Sequence, residues 1–184
     1  MADGTLKVGT ITTSSGSGTI TLGQSGETIN IPSAATVSGA IANTPAFRLN
    51  KSAQVTISDA TRAKVTYDTT DFDTDSAVSS STFTAPVAGK YYFYATTWLH
   101  AGANSNFNYG ECLLYKNGSL HVESIVDLRN SPGHQVGVSV DSVIDMAIND
   151  TIEIYASCDD TSGSPEIGGG NNRTYFGGYR IIGA

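Results

Sequence analysis

Hydrophobic and polar residues alternate along most of the chain after residue 45, and a period of two is that of half-buried β-strands. In residues 83–95, FTAPVAGKYYFYA, a turn with Pro86 and Gly89 leads into a strand on which Tyr91 and Phe93 share one face. Turn residues punctuate the pattern throughout. The predicted strands lie near residues 54–58, 64–68, 90–98, 107–116, 119–127, 135–144, 151–157 and 174–182.

The strongest local signal is the dipeptide Asn117-Gly118, which separates two of these strands. Both residues tolerate the positive φ of a type I′ turn, so the two strands are predicted to form a hairpin. In the next strand Val138 and Val140 alternate with Gly137 and Ser139, which predicts one face in the core and one face of small residues outside.

Composition supports an all-β chain with one core. The 184 residues include 20 glycines and only 15% charged residues, and no long helical pattern occurs. A chain of this length is expected to bury one ordinary hydrophobic core, with room for an appendage.

The spacing of the aromatic residues in the segment 83–95 resembles that of a known family. Phe83, Gly89, Tyr91 and Phe93 match the signature of the complement globular-head family, which belongs to the tumour-necrosis-factor-like jelly rolls. Residues 173–182, RTYFGGYRII, resemble the last strand of that family. The resemblance covers about residues 46–184 and implies a jelly-roll β-sandwich that forms homotrimers and binds partners without catalysis.

The same resemblance implies that aromatic side chains from strands near the termini line a trimer axis, while other aromatic side chains fill the core. The candidates for the trimer interface are Tyr91, Tyr92, Phe93, Tyr94, Tyr175, Phe176 and Tyr179.

Residues 1–45 differ from the rest of the chain. They contain 22 Ser, Thr or Gly residues, three charged residues and no aromatic residue. Short alternating apolar pairs predict three weak strands that become ordered by pairing with another chain or surface. We therefore predict an attachment arm ending near Pro45, followed by a head domain of residues 46–184; a flexible linker is the alternative. The predicted anchoring residues are Leu6, Val8, Ile11, Ile20, Leu22, Ile29 and Ile31.

The sequence of residues 5–33, TLKVGTITTSSGSGTITLGQSGETINIPS, resembles the N-terminal segments of structural proteins of marine bacteriophages. Together with a globular head, this resemblance implies a virion protein. The first hypothesis is a trimeric capsid decoration or head-fibre protein that attaches to the major capsid protein or another virion protein. The alternative is the receptor-binding head of a tail fibre or tail appendage, which recognises a host surface glycan or protein.

Two acidic segments are candidates for ligand binding. Asp71, Asp73 and Asp75 alternate, so they would either converge on Ca²⁺ in a loop or repel one another along an exposed strand. The long loop of residues 158–172 is expected to be mobile, and loops at the end of a jelly roll often carry recognition. Its candidate ligand residues are Asp159, Asp160, Glu166 and Asn171. Trp98 is a further candidate, for stacking on a sugar.

Other functions are disfavoured. The net charge is −7 and basic residues are scattered, which argues against nucleic-acid binding. Apolar runs fall short of the roughly 18 residues that span a bilayer, so no membrane role is predicted. No catalytic or zinc-binding motif is recognised, so neither an enzyme nor a required cofactor is expected. Cys112 and Cys158 are expected to be buried free thiols, with a disulfide as the alternative.

Overall fold

A computed structural model describes residues 44–170 and 172–181, together with residues 11, 19–22, 25–26, 28–32 and 35 of the N-terminal segment. The chain divides into two units, Met1–Val37 and Ser38–Ala184. In the first unit, residues 19–22 and 28–32 are not in strands within the single chain, and the weak strands around Ile20, Leu22, Ile29 and Ile31, which are expected to form by pairing with another chain, stay a prediction. Those four side chains and Ile11 are exposed, whereas Leu6 and Val8 lie outside the described residues.

The second unit is built from β-strands. They are β1 Ala46–Asn50, β2 Val55–Thr56, β3 Ala63–Lys64, β4 Thr69–Asp73, β5 Val78–Ser79, β6 Thr82–Thr84, β7 Gly89–His100, β8 Phe107–Lys116, β9 Ser119–Asp127, β10 Gln135–Met146, β11 Thr151–Asp160, β12 Glu166–Ile167 and β13 Tyr175–Arg180. Within the described residues no helix is long and apolar enough to cross a membrane.

The strands form two antiparallel sheets that pack face to face. The first sheet has the order β2-β12-β7-β13-β1-β4, with β10 paired to the other edge of β7. The second sheet has the order β5-β6-β11-β8-β9, with β3 paired to β11. Each long strand therefore has one face toward the core and one face outside, as the alternating sequence requires.

Aromatic rings from both sheets meet in the core. Phe83 lies 5.5 Å from Tyr91 and 5.3 Å from Phe93 between ring centroids, and Phe47 lies 4.9 Å from both Phe83 and Phe176. All five side chains are at most 1% exposed. The aromatic residues of the recognised spacing are thus one packed cluster that joins the two sheets.

The long predicted strands are confirmed, and so is the hairpin. Asn117 has φ 50° and Gly118 has φ 74°, as a type I′ turn requires, and β8 pairs with β9 directly on either side. Val138 and Val140 are buried in the core as expected. The predicted segments 54–58 and 64–68 shrink to two-residue strands, and β1, β4, β5, β6 and β12 were not predicted.

Both cysteines are free and buried, as expected. Cys112 and Cys158 lie on the paired strands β8 and β11. Burial raises the pKa of Cys112 to about 11 and that of Cys158 to about 12, so both thiols stay protonated at neutral pH.

Candidate functional site

The outer side of the first sheet carries a row of tyrosines, which we call the tyrosine face: Tyr92, Tyr94, Tyr175 and Tyr179. Strand pairing sets Tyr179 opposite Tyr92 and Tyr175 opposite Thr96, next to Tyr94. The ring centroids are 5.6 Å apart for Tyr92 and Tyr179, and 6.2 Å apart for Tyr94 and Tyr175. Tyr179 is 42% exposed and the other three are partly exposed. The result is a continuous aromatic surface outside the core.

A glycine on β13 lets this surface form. Gly177 pairs with Tyr94, and a Cβ atom built on Gly177 would lie 2.5 Å from Cζ of Tyr94. The tyrosine ring therefore lies across the β13 backbone. Arg48 on β1 flanks the face, since its guanidinium lies 4.6 Å from the ring centre of Tyr175 and forms an ion pair with Asp71 at 3.2 Å.

Strand β10 borders the tyrosine face with small side chains. Gly137 and Ser139 pair with Trp98 and Thr96, and the hydroxyl groups of Thr96 and Ser139 are 2.8 Å apart. A cleft of about 400 Å³ opens here; it is lined by Thr96, Trp98, Gln135, Gly137, Ser139, Asn172, Arg173 and Tyr175. Aromatic bulk beside a shallow cleft is suited to packing against another protein surface.

Three of the residues predicted to lie in the trimer interface are instead part of the hydrophobic core. Tyr91, Phe93 and Phe176 are each 0% exposed. On β7 the odd positions face inward, so Tyr91 and Phe93 point away from the tyrosine face on which Tyr92 and Tyr94 lie. The hydroxyl of Tyr91 donates a hydrogen bond to the carbonyl of Val87 at 2.7 Å. These rings stabilise the protomer and cannot contact a partner.

The ring of Trp98 is in contact with other side chains of the same chain. The guanidinium of Arg173 lies 3.8 Å from its ring centre, and the ring of His100 meets it edge-on at 3.9 Å. A Cβ atom on Gly168 would approach the ring to 2.5 Å, so the loop backbone also packs against it. Arg173 thus covers a ring face on which a sugar would stack.

The long loop between β11 and β13 is packed against the domain, in contrast to the expected mobility. Ile167 in β12 is 0% exposed, and β12 pairs with both β2 and β7. Gly170 donates a backbone hydrogen bond to the carbonyl of Lys51 at 2.9 Å. The composition of the loop did not reveal this because the pairing partners lie far away in sequence.

The candidate ligand residues of this loop are dispersed. Asp160 is 7% exposed and accepts a hydrogen bond from the backbone N–H of Gly102 at 3.2 Å, so it holds the fold together and is not available to a ligand. Glu166 accepts from Gln54 at 3.3 Å. Asp159 lines a groove on the second sheet, and Asn171 lies outside the described residues. They do not form one site.

The acidic residues 71–75 lie mostly in the exposed strand β4. This is the second of the two predicted arrangements, an exposed strand and not a Ca²⁺-binding loop. Asp71 pairs with Arg48, and both carboxylate oxygens of Asp73 accept backbone hydrogen bonds, from Ala77 and Val78 at 2.9 Å each. Asp75 is exposed. Across the part of the chain that the structure describes, no three His, Cys, Asp or Glu side chains are grouped to hold a metal ion, which argues against Ca²⁺ at Asp71, Asp73 and Asp75.

A groove of about 700 Å³ on the outer side of the second sheet was not predicted. It is lined by Ala60, Thr61, Arg62, Tyr109, Glu111, Arg129, Ser157 and Asp159, and we call it the Arg62 groove. Sequence reasoning missed it because its residues come from four separate segments. The available signal was the alternation of Tyr109 and Glu111 on one predicted strand, which places an aromatic and an acidic side chain on the same outer face.

Comparison with known proteins gives structural matches only. Neither a protein-family model nor a curated protein matches the sequence. The globular domain of a zebrafish complement 1qA protein has a TM-score of 0.55 at 16% identity, over 75% of this chain and 98% of the other. Murine APRIL at pH 5.0 has a TM-score of 0.55 at 9% identity, over 74% and 98% of the chains. Eiger TNF from S. frugiperda has a TM-score of 0.57 at 9% identity, over 77% and 95%. The chain therefore has the C1q and TNF-type jelly-roll fold.

Proposed function

We propose that this chain is a non-catalytic structural protein of a bacteriophage virion, in which three jelly-roll heads associate and the N-terminal arms attach the trimer to the particle. The observation that carries the proposal is the tyrosine face. Four tyrosines are grouped on the outer side of the first sheet, next to a border of small residues. A second copy of the chain is the occupant that we assign to this face.

The physical argument is burial of aromatic surface. Each tyrosine offers a large apolar ring and a hydroxyl that can remain hydrogen-bonded, which is why tyrosine is enriched in protein interfaces. Strand β10 presents Gly137 and Ser139 beside the rings, so another protomer can approach closely. Folds of the C1q and TNF type often form trimers, which supports a threefold arrangement.

The attachment role is supported by the arm. Its described apolar side chains, Ile11, Ile20, Leu22, Ile29 and Ile31, are 42–60% exposed, so they are available for contact with another protein. An extended segment can add a strand to the edge of a neighbouring sheet, and three arms on one trimer multiply a weak single contact. The resemblance of residues 5–33 to openings of marine bacteriophage structural proteins favours the major capsid protein or another virion protein as the partner.

The test is a cryo-electron microscopy reconstruction of the virion that carries this protein. Decoration of the capsid predicts many threefold densities on the shell, each connected to it by arm density. Deletion of residues 1–31 should abolish particle attachment while leaving the head folded. Attachment that survives this deletion would overturn the assignment of the arm, and a protein absent from virions would overturn the virion role.

A receptor-binding head on the tail is the second candidate. The observation that favours it is that Asp159 in β11 and Arg173 just before β13 line clefts on the two sides of the sandwich. A reconstruction with a few copies at the tail, and loss of host adsorption after substitution of residues 159–171, would favour this role over decoration.

A further inference from the structure

We propose that the Arg62 groove binds a neutral hexose unit of a glycan. The groove lies on the outer side of the second sheet, and the tyrosine face lies on the first sheet. Binding at the groove therefore does not depend on the trimer or on the location of the protein in a particle.

One wall of the groove is a fixed set of polar groups. Arg62 donates from Nε and Nη2 to the two carboxylate oxygens of Glu111, each at 2.9 Å, and the hydroxyl of Tyr109 donates to Glu111 Oε1 at 3.0 Å. Glu111 is 7% exposed, whereas the Arg62 side chain is 40% exposed. A bidentate pair of this kind is geometrically rigid, so the exposed part of Arg62 offers preorganised hydrogen-bonding positions to a ligand.

An aromatic ring stands beside this wall. Tyr109 and Glu111 lie on the same side of β8, and Tyr109 pairs with Asp159 on β11. The guanidinium of Arg129 lies over the Tyr109 ring at 5.6 Å from its centre, farther than the 3.8 Å at which Arg173 covers Trp98, and Tyr109 is partly exposed. A hexose has one face of C–H bonds that packs on an aromatic ring and a rim of hydroxyl groups that need polar partners. Tyr109 and the surrounding polar side chains supply both kinds of contact.

The charges favour a neutral ligand. Arg62 is paired with Glu111 and with Glu123 at 3.3 Å, and Arg129 is paired with Asp127. The charged residues that line the groove balance, because Arg62 and Arg129 stand against Glu111 and Asp159. Neither an anionic nor a cationic ligand therefore gains a net charge attraction from the lining. A sugar hydroxyl both donates and accepts, and so it fits an arginine–carboxylate wall without adding charge.

The volume of about 700 Å³ is within the range of small-ligand sites, about 300–1,000 Å³. Glu111 is held in its ionised form, because the hydrogen bonds from Arg62 lower its pKa. At neutral pH it therefore accepts the hydrogen bonds of Arg62 and Tyr109 and holds both side chains in place.

The experiment is affinity electrophoresis of the full chain through gels containing dextran, mannan or galactan, with polygalacturonate as the acidic probe. We expect retardation by at least one neutral polymer. Tyr109→Leu keeps an apolar side chain on β8 but removes the ring and its hydroxyl, and it should weaken binding about tenfold or more. Tyr155→Leu is the matched control, because Tyr155 lies on the outer side of β11 in the same sheet and outside the groove.

Four results would overturn the proposal. They are no retardation by any neutral polymer, retardation by polygalacturonate alone, equal binding by the two leucine variants and the wild type, and equal loss in both variants. Circular dichroism and the melting temperature establish that each variant is folded. If Tyr109→Leu is unfolded, Arg129→Gln replaces it, since the Arg129 side chain is 63% exposed and its loss should spare the fold.

Discussion

At the scale of single residues, two arginine–carboxylate pairs with the same chemistry differ in burial. Arg62 pairs with Glu111, whose side chain is 9% exposed, whereas Arg129 and Asp127 are 63% and 44% exposed. Exposed ion pairs contribute little to stability, but a buried carboxylate that loses its partner is costly. The two pairs therefore give a direct comparison within one molecule.

We predict that Arg62→Ala lowers the free energy of unfolding by about 2 kcal/mol, measured by urea denaturation. This figure is below the roughly 3–5 kcal/mol for breaking a fully buried pair, because Arg62 itself is 40% exposed and the change admits water to Glu111.

The control Arg129→Ala should leave the unfolding midpoint nearly unchanged. The double variant Arg62→Ala/Glu111→Gln should recover part of the loss, since the amide needs no countercharge. Equal destabilisation by both single arginine variants would contradict this account.

The same pair predicts a pH dependence. Hydrogen bonds from Arg62 hold the pKa of Glu111 below its ordinary value of 4.5 in the folded state. The resulting stabilisation is present above pH 4.5 and is lost as the pH falls through the lowered folded-state pKa. The stability difference between wild type and Glu111→Gln should therefore be largest near neutral pH and shrink in acid. Urea denaturation at a series of pH values measures it, and a difference that is constant with pH would refute the assignment.

At the scale of elements, two adjacent glycines on β13 serve opposite faces. A Cβ atom on Gly177 would meet the end of the partly exposed Tyr94 side chain, whereas one on Gly178 would lie 2.5 Å from Cδ1 of the buried Phe93 and 3.0 Å from the carbonyl of Tyr92. The exposed tyrosine can rotate away, but the core ring and the backbone cannot.

We predict that Gly178→Ala destabilises the protomer by about 1–3 kcal/mol, the usual cost of overpacking, as measured by urea denaturation. Gly177→Ala should cost less stability but weaken self-association, because Tyr94 is displaced from the tyrosine face. Sedimentation analysis of the two variants separates the effects. The reverse result, with association lost only in Gly178→Ala, would mean that the tyrosine face is not the interface.

The long strands could be predicted from the sequence, because each carries its own alternation and turns. Strand β12 could not, since the two residues Glu166 and Ile167 show no period and are held by β2 and β7 from distant segments. The tyrosine face was only partly predictable. Aromatic positions in residues 91–94 were evident, but the inward or outward direction of each depended on register, which the sheet pairing supplies.

At the scale of the whole molecule, the two proposed binding surfaces lie on different sheets. The tyrosine face of the first sheet is assigned to association between copies of the chain, and the Arg62 groove of the second sheet is assigned to a glycan. Because the groove residues are dispersed over residues 60–62, 109–111, 129 and 157–159, no sequence window contained them, and only the folded sheet brings them together. A trimer would carry three such grooves, which would multiply a weak glycan affinity.

The measurement that tests the central claim most directly is the mass of the full chain in solution by light scattering at micromolar concentration. The account predicts three times the 19.2 kDa chain mass for the wild type. Tyr179→Glu, which places a charge on the tyrosine face, should give monomers. Ile125→Glu, at a position of similar exposure on the second sheet (47% against 42%), should remain trimeric. A monomeric wild type, or a trimer that survives Tyr179→Glu but not Ile125→Glu, would contradict it.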